Sequence, residues 1–137
     1  MTTRILVLTL GGTIDAKAIT GEYPKYTAQD DKNAAFQALL QIRDSLNKGT
    51  TFDQSIIANK DSKNLDEKDF SRLENEIQHA HNYDRIIVTI GTDRLAPTAK
   101  EIQEKFESGN LELPCPVIFT GAMWPIANGP DKSDGFA

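Results

Sequence analysis

The sequence predicts one open, mostly parallel β-sheet with helices on both faces, an α/β domain spanning residues 1–137. Three features carry that expectation. Apolar, β-branched runs are nearly unbroken rather than alternating, as in strands covered on both sides. Segments of helical periodicity separate these runs, so strand and helix alternate along the chain. Glycine ends three of the four runs, at Gly11, Gly91 and Gly121. The length suits one core, not two.

Arg4 to Leu10 is the first apolar run, ended by Gly11-Gly12. Asp31 to Leu46 reads as a helix with Phe36, Leu39, Leu40 and Leu46 along one stripe and Gly49 just beyond its end. Thr51 to Ala58 is a second strand. Leu65 to Asn82 is a helix in which Phe70, Leu73, Ile77 and Ala80 recur at steps of three and four. Asn64 and Glu67 stand at capping-box spacing before it. Arg85 to Ile90 is a third strand. Pro97 fits the first turn of a third helix that carries Ala99, Ile102 and Phe106 inward. Val117 to Thr120 is a short fourth strand. Parallel strands joined this way need right-handed crossovers, which gives a three-layer sandwich of the Rossmann or flavodoxin kind.

Composition excludes several classes. Apolar residues make up 39% and charged residues 26%, an ordinary soluble balance. No apolar run approaches the roughly 18 residues of a membrane helix. Met1 to Leu8 is too short in its apolar part for a signal peptide and has no small-residue cleavage site, so a cytoplasmic protein is expected. A net charge of −5 without a basic cluster argues against nucleic acid and anionic membranes as partners. The single cysteine, Cys115, lies between Pro114 and Pro116, and neither neighbour activates a thiolate.

Ligands of such sheets bind beyond the carboxyl ends of the strands, and the polar residues of this chain follow its strands. Gly11-Gly12-Thr13 follows the first, Asn59-Lys60-Asp61-Ser62 the second, Gly91-Thr92-Asp93 the third and Thr120-Gly121-Ala122-Met123 the fourth. Polar loops and strand-ending glycines are common in themselves. Two Gly-Thr pairs and an Asp-Ser pair on one edge go further. A threonine hydroxyl is a usable nucleophile once a base removes its proton or a neighbour lowers its pKa. Gly11-Gly12 lets backbone come close to a ligand and offers amide donors for a developing oxyanion. A hydroxyl at Ser62 and a carboxylate at Asp61 suit the two ends of a zwitterion, so a small amino acid is the natural guest.

Rival chemistries find little support. No GxGxxG and no P-loop is present. His79 and His81, two apart on a helix, point to different sides and make poor metal co-ligands. Asp66, Glu67 and Asp69 load a first helical turn, where the dipole favours them. Met123 and Trp124 suit packing as well as a pocket wall.

At these residues the chain resembles the bacterial-type asparaginase family. Leu10-Gly11-Gly12-Thr13-Ile14-Asp15 is similar to that family's first active-site segment, and Val88-Thr89-Ile90-Gly91-Thr92-Asp93 to the second. Lys60-Asp61-Ser62 matches the segment that grips the amino-acid end of the substrate. Pro116 to Pro125 and Ser133-Asp134-Gly135-Phe136 match further signatures. The matches run in order along nearly the whole chain. The resemblance implies Thr13 as nucleophile, Tyr23 as the flap residue that polarises it (Tyr26 competes for this role), and Thr92 with Asp93 as the second catalytic pair. It implies substrate contacts from Gly12, Asp61, Ser62, Gly91 and Ala122. The implied reaction is hydrolysis of L-asparagine to L-aspartate and ammonia without metal or organic cofactor, in a homo-oligomer such as a dimer.

Two departures bear on activity. Family members usually carry histidine where this chain has Ile90, which is expected to remove a polar group from behind the site. No residue here matches the family's catalytic lysine, so Thr92 is expected to lack its base within these 137 residues. An asparaginase-like amidohydrolase is the leading expectation; the alternative is a non-catalytic amino-acid-binding module or partner subunit.

Overall fold

A computed structural model describes residues 2–15, 17–18, 26–27, 34–45 and 49–122. Tyr23 and everything beyond Ala122 fall outside this set, as do the side chains of Thr13 and Tyr26. Strand β1 (Thr3–Gly11) leads into a 3₁₀ turn, Thr13–Asp15. The two-residue strands β2 (Lys17–Ala18) and β3 (Tyr26–Thr27) pair antiparallel with each other. Then come α1 (Ala34–Ile42), β4 (Thr50–Lys60), a 3₁₀ turn at Ser62–Asn64, α2 (Glu67–Gln78), β5 (Arg85–Thr89), α3 (Thr92–Glu107) and β6 (Val117–Thr120).

The main sheet is parallel throughout, in the order β4-β1-β5-β6. Register aligns Thr9 with Ile56 on one side and with Thr89 on the other, and Thr89 in turn with Thr120. From β1 the chain steps outward to β4, then returns across β1 to β5 and β6. Right-handed crossovers therefore place α1 on one face and α2 and α3 on the other. Packing agrees with this. Leu73 and Ile77 of α2 and Ile102 of α3 join Leu6, Leu8, Leu10, Ile86, Val88 and Ile90 of the sheet in one core. Ala35 and Ala38 of α1 belong to a separate cluster with Ile14 and Ala122. Lys105 of α3 pairs with Glu74 of α2 on the surface. Among the described residues no helix is long and apolar enough to cross a membrane.

Four element expectations change. The buried face of α1 is made by Ala35 and Ala38, with Phe36, Leu39 and Leu40 only partly buried, because small residues let this helix lie close to the first loop. The capping box of α2 is Asp66 with Asp69: each side chain accepts the backbone N–H of the other residue, at 3.1 and 3.0 Å. Asn64 is instead absorbed in the preceding 3₁₀ turn. Helix α3 begins at Thr92, five positions before Pro97, which sits inside it. Proline there forgoes one backbone hydrogen bond to the carbonyl four residues back, a cost the remaining turns outweigh. Phe106 projects outward, 49% exposed, near the end of the same helix.

Candidate active site

The order of the strands reverses between β1 and β5. An open parallel sheet has its ligand crevice at that switch point, beyond the carboxyl ends. Gly11-Gly12-Thr13 and Gly91-Thr92-Asp93 are the segments that emerge there.

Backbone crowding at this edge is extreme. A Cβ on Gly12 would lie 2.5 Å from both the N and the Cα of Gly91. A Cβ on Gly91 would lie 2.7 Å from the Cβ and Oγ of Ser62. A Cβ on Gly121 would lie 2.5 Å from the carbonyl oxygen of Ile90 and 3.4 Å from the Thr92 methyl. Glycine at these three positions brings the loops after β1, β4, β5 and β6 into direct contact. The Gly12 N–H also donates to the Lys60 carbonyl at 3.1 Å, tying the first loop to the end of β4. Gly12 holds φ +87°, a left-handed conformation natural for glycine.

Helix α3 opens on this edge. Its N-cap, Gly91, brings no side chain to the first turn. The positive end of the helix dipole and its leading amides therefore lie at the crevice, where they favour an anionic group or a developing oxyanion. Thr92 and Asp93 form the first turn and are exposed. Opposite them, Ser62 is buried to 2% exposure in the 3₁₀ turn, against Gly91. Asp61 caps that turn: its Oδ1 accepts the Lys63 N–H at 3.2 Å, which leaves the carboxylate at the surface.

Three residues that sequence reasoning did not single out organise this edge. Lys60 donates to Asp69 at 2.9 Å and lies 3.8 Å from Asp66, so the α2 capping box anchors the loop after β4. The hydrogen bond to Asp69 holds the Lys60 ammonium above its ordinary pKa. Burial is the strongest single influence on the Asp69 carboxyl and pushes it up; the hydrogen bonds from Lys60 and from the Asp66 backbone, with the lysine charge, outweigh it and hold the group below the usual range. Lys63 lies 3.9 Å from Asp93. Asp15, 1% exposed, accepts the Ala35 N–H at 2.9 Å and pins the first loop to the start of α1. A signal for Lys60 and Lys63 existed in their flanking of Asp61-Ser62; the partners they meet are remote in sequence.

The structure brings Gly12, Ser62, Gly91, Thr92 and Asp93 to one edge, with the backbone of Thr13 beside them. Ala122 is buried in the cluster of Ile14 and α1, which puts it behind the first loop. Tyr23 and the Thr13 side chain lie outside the described residues. Ile90 is fully buried within the main apolar core, on the same face as Val88, Leu8 and Leu10, so its side chain packs under the sheet behind the crevice. Among the described residues no group of three or more His, Cys, Asp or Glu is gathered that could hold a metal ion.

Comparison with known proteins agrees with this architecture. No curated protein matches the sequence. Among solved structures the chain is similar to the thermostable L-asparaginase from Thermococcus kodakarensis, at 27% identity and TM-score 0.63, over 97% of this chain and 37% of that one. It is similar to a probable cytoplasmic L-asparaginase from Campylobacter jejuni at 28% identity and TM-score 0.70, over 98% of this chain and 38% of that one. L-asparaginase I from Vibrio cholerae, at 22% identity and TM-score 0.71, shares the fold over 98% of this chain and 38% of its own. The chain thus spans well under half the length of these relatives. The asparaginase N-terminal family model matches residues 4–137, and with this fold and this clustering of strand ends the chain belongs to the asparaginase family.

Proposed function

We propose that residues 1–137 form an asparaginase-type amidohydrolase domain acting on a small amino-acid amide, L-asparagine foremost, with the Thr13 hydroxyl as nucleophile. The observation that supports this best is the close approach of the Gly12 backbone to Gly91 and of the Gly91 backbone to the Ser62 side chain, since it gathers the first loop, the Thr92-Asp93 pair and the Asp61-Ser62 pair at one crevice. In this reading the Thr13 oxygen attacks the side-chain amide carbon, and backbone amides near Gly12 and at the start of α3 stabilise the oxyanion. Ammonia leaves with the transferred proton, and water then cleaves the Thr13 ester to release the acid and restore the hydroxyl. Tyr23 polarises Thr13. Thr92 and Asp93 form the second catalytic pair, Ser62 and Asp61 hold the amino-acid end, and Ala122 and Gly91 shape the wall. No cofactor takes part. A cytoplasmic homo-oligomer completes the site.

The test is ammonia release from L-asparagine by the 137-residue chain, with Thr13→Ala and Thr92→Val alongside. Thr92→Val is expected to lower the rate by about 10²- to 10⁴-fold, the usual range for a catalytic proton-transfer group, and Thr13→Ala by at least as much, since it removes the nucleophile itself. Stabilisation by L-aspartate without any turnover would replace this reading with that of an amino-acid-binding module.

A further inference from the structure

Thr89, the last residue of β5, is 1% exposed, and its hydroxyl oxygen has no hydrogen-bond partner among the described residues. Buried hydroxyls are nearly always paired, and valine would fill the same shape without a polar atom. Thr89 stands between Val88 and Ile90 of the main core, so its side chain projects to the opposite, α1 side of the sheet. Thr9, between Leu8 and Leu10, projects the same way, is also fully buried, and is aligned in register with Thr89. The Thr9 oxygen accepts from Gln54 Nε2 at 3.5 Å, a long contact that uses one of its two acceptor positions. Aligned side chains on neighbouring strands are rooted about 4.8 Å apart. A direct hydroxyl pair needs about 2.8 Å between oxygens, and none forms here; one water between two oxygens spans roughly 5.5 Å. The cluster on this face is Ile14 with Ala35, Ala38 and Ala122, smaller side chains than the leucines and isoleucines of the other face.

We propose that Thr9 and Thr89 hold one buried water between β1 and β5, and that through it Thr89 is a positioning residue for the crevice. Thr89 donates to the water, and the water donates to the second acceptor position of Thr9. Gly11 and Gly91 follow two residues later, where the loops that carry Thr13 and Thr92 begin. The water thus fixes the spacing of the strand ends from which both loops spring. Its value to catalysis rests on the amide-hydrolase reading; the water itself does not.

A crystal structure of the full chain, with Thr89→Val and Thr89→Ser alongside, tests the bridge. One water within about 3.2 Å of both oxygens is expected in the parent and in Thr89→Ser, and none in Thr89→Val. A dry pair in the parent overturns the proposal. Thr89→Val is expected to raise the unfolding equilibrium constant roughly three- to tenfold. A valine variant as stable as the parent, or more so, overturns the proposal too, since an unbridged hydroxyl is better replaced by a methyl. Amide hydrogen exchange reads the positioning. The Gly12 N–H, bonded to the Lys60 carbonyl, and the Arg94 N–H, bonded to the Gly91 carbonyl, report on the two loops. Both are expected to exchange several-fold faster in Thr89→Val and near the parent rate in Thr89→Ser, while the His79 N–H at the far end of α2 is unmoved. Gly12 and Arg94 amides that exchange as in the parent overturn the positioning role. In ammonia release, Thr89→Val is expected to lower kcat with KM little changed. A parent that releases no ammonia removes the hydrolase reading alone, and the water and the exchange rates still decide this proposal.

Discussion

Gly12 rests against Gly91 so closely that a single added methyl carbon on the first would lie 2.5 Å from the backbone of the second. The contact is between two main chains, so no side-chain rotation relieves it. Gly12→Ala also places a Cβ on a residue at φ +87°. It is expected to lower stability by roughly 2 kcal/mol or more, combining backbone strain with overpacking. Gly109 provides the control. It closes α3 at φ +80°, where its N–H donates to the Phe106 carbonyl, and a Cβ there meets nothing within 4 Å. Gly109→Ala is expected to cost only the conformational part, about 1 kcal/mol. Urea unfolding of both variants measures the difference.

Gly91→Ala separates the site from the fold. Its φ of −62° suits any residue, so the backbone is indifferent to the change. The new methyl meets the Ser62 side chain at 2.7 Å, and Ser62 must give way. L-aspartate affinity is expected to fall by about tenfold, the equivalent of roughly 1.4 kcal/mol of overpacking at the site, while the urea midpoint moves less than in Gly12→Ala. A Gly91→Ala chain that binds like the parent would show that the seat of Ser62 is not part of the ligand site.

Ile90 yields a prediction opposite to the one its sequence context suggests. Restoring the histidine usual in the family would insert an imidazole among Leu8, Leu10 and Val88, where the present side chain is fully buried. Burying that polar ring without a partner costs about 1–3 kcal/mol, and lost apolar packing adds to it. Ile90→His is therefore expected to lower the melting temperature without raising ammonia release. A stable variant with higher activity would place residue 90 in the chemistry after all.

How much of this was legible follows from what each feature depends on. Leu6 to Leu10 and Arg85 to Thr89 could be read directly, because a strand buried on both faces must be continuously apolar. The glycines after β1 and β5 and the hydroxyls beside them were legible for the same reason: parallel strands deliver their loops to one edge. The capping residues of α2 were misplaced by two positions, since Asn64 competes equally well on spacing until the 3₁₀ turn claims it. The start of α3 was hidden by Pro97, which is more often a first-turn residue than an internal one. The inward set of α1 failed because small alanines, not the larger Phe36 and Leu39, face the first loop. The Lys63–Asp93 and Lys60–Asp69 pairs needed the crossover geometry, which no local pattern encodes. The direction of Ile90 was readable in principle from its two-residue step from Val88.

Cys115 is expected to be an inert thiol. Burial pushes its pKa up and outweighs the opposing charge of Arg85, and the Asp84 carboxylate adds a smaller push upward. Nucleophilic thiolate is correspondingly scarce at neutral pH. Alkylation by iodoacetamide at pH 8 should be slower in the folded chain than in urea, with the two rates converging once the protein unfolds. Equal rates would mean that the segment between Pro114 and Pro116 opens freely.

The pair that anchors the loop after β4 sets a pH dependence with a definite sign. Asp69 has a folded-state pKa below its unfolded value, so the unfolded chain binds more protons in that window. Its contribution is complete above the unfolded carboxylate value of about 4 and is lost as pH falls through the lower folded value. Lys60 has a raised folded-state pKa; its contribution is complete below about 10.4 and is lost as pH rises through the higher folded value. Between these limits the pair's contribution is flat. The urea midpoint of Asp69→Asn should thus lie below that of the parent by a constant margin from pH 5 to 9, and the margin should shrink as pH drops below about 4. Because the Lys60 side chain is 40% exposed, added salt should narrow the same margin at neutral pH. A margin that persists unchanged at pH 2 would assign the effect of the substitution to the helix cap alone and take the lysine out of the account.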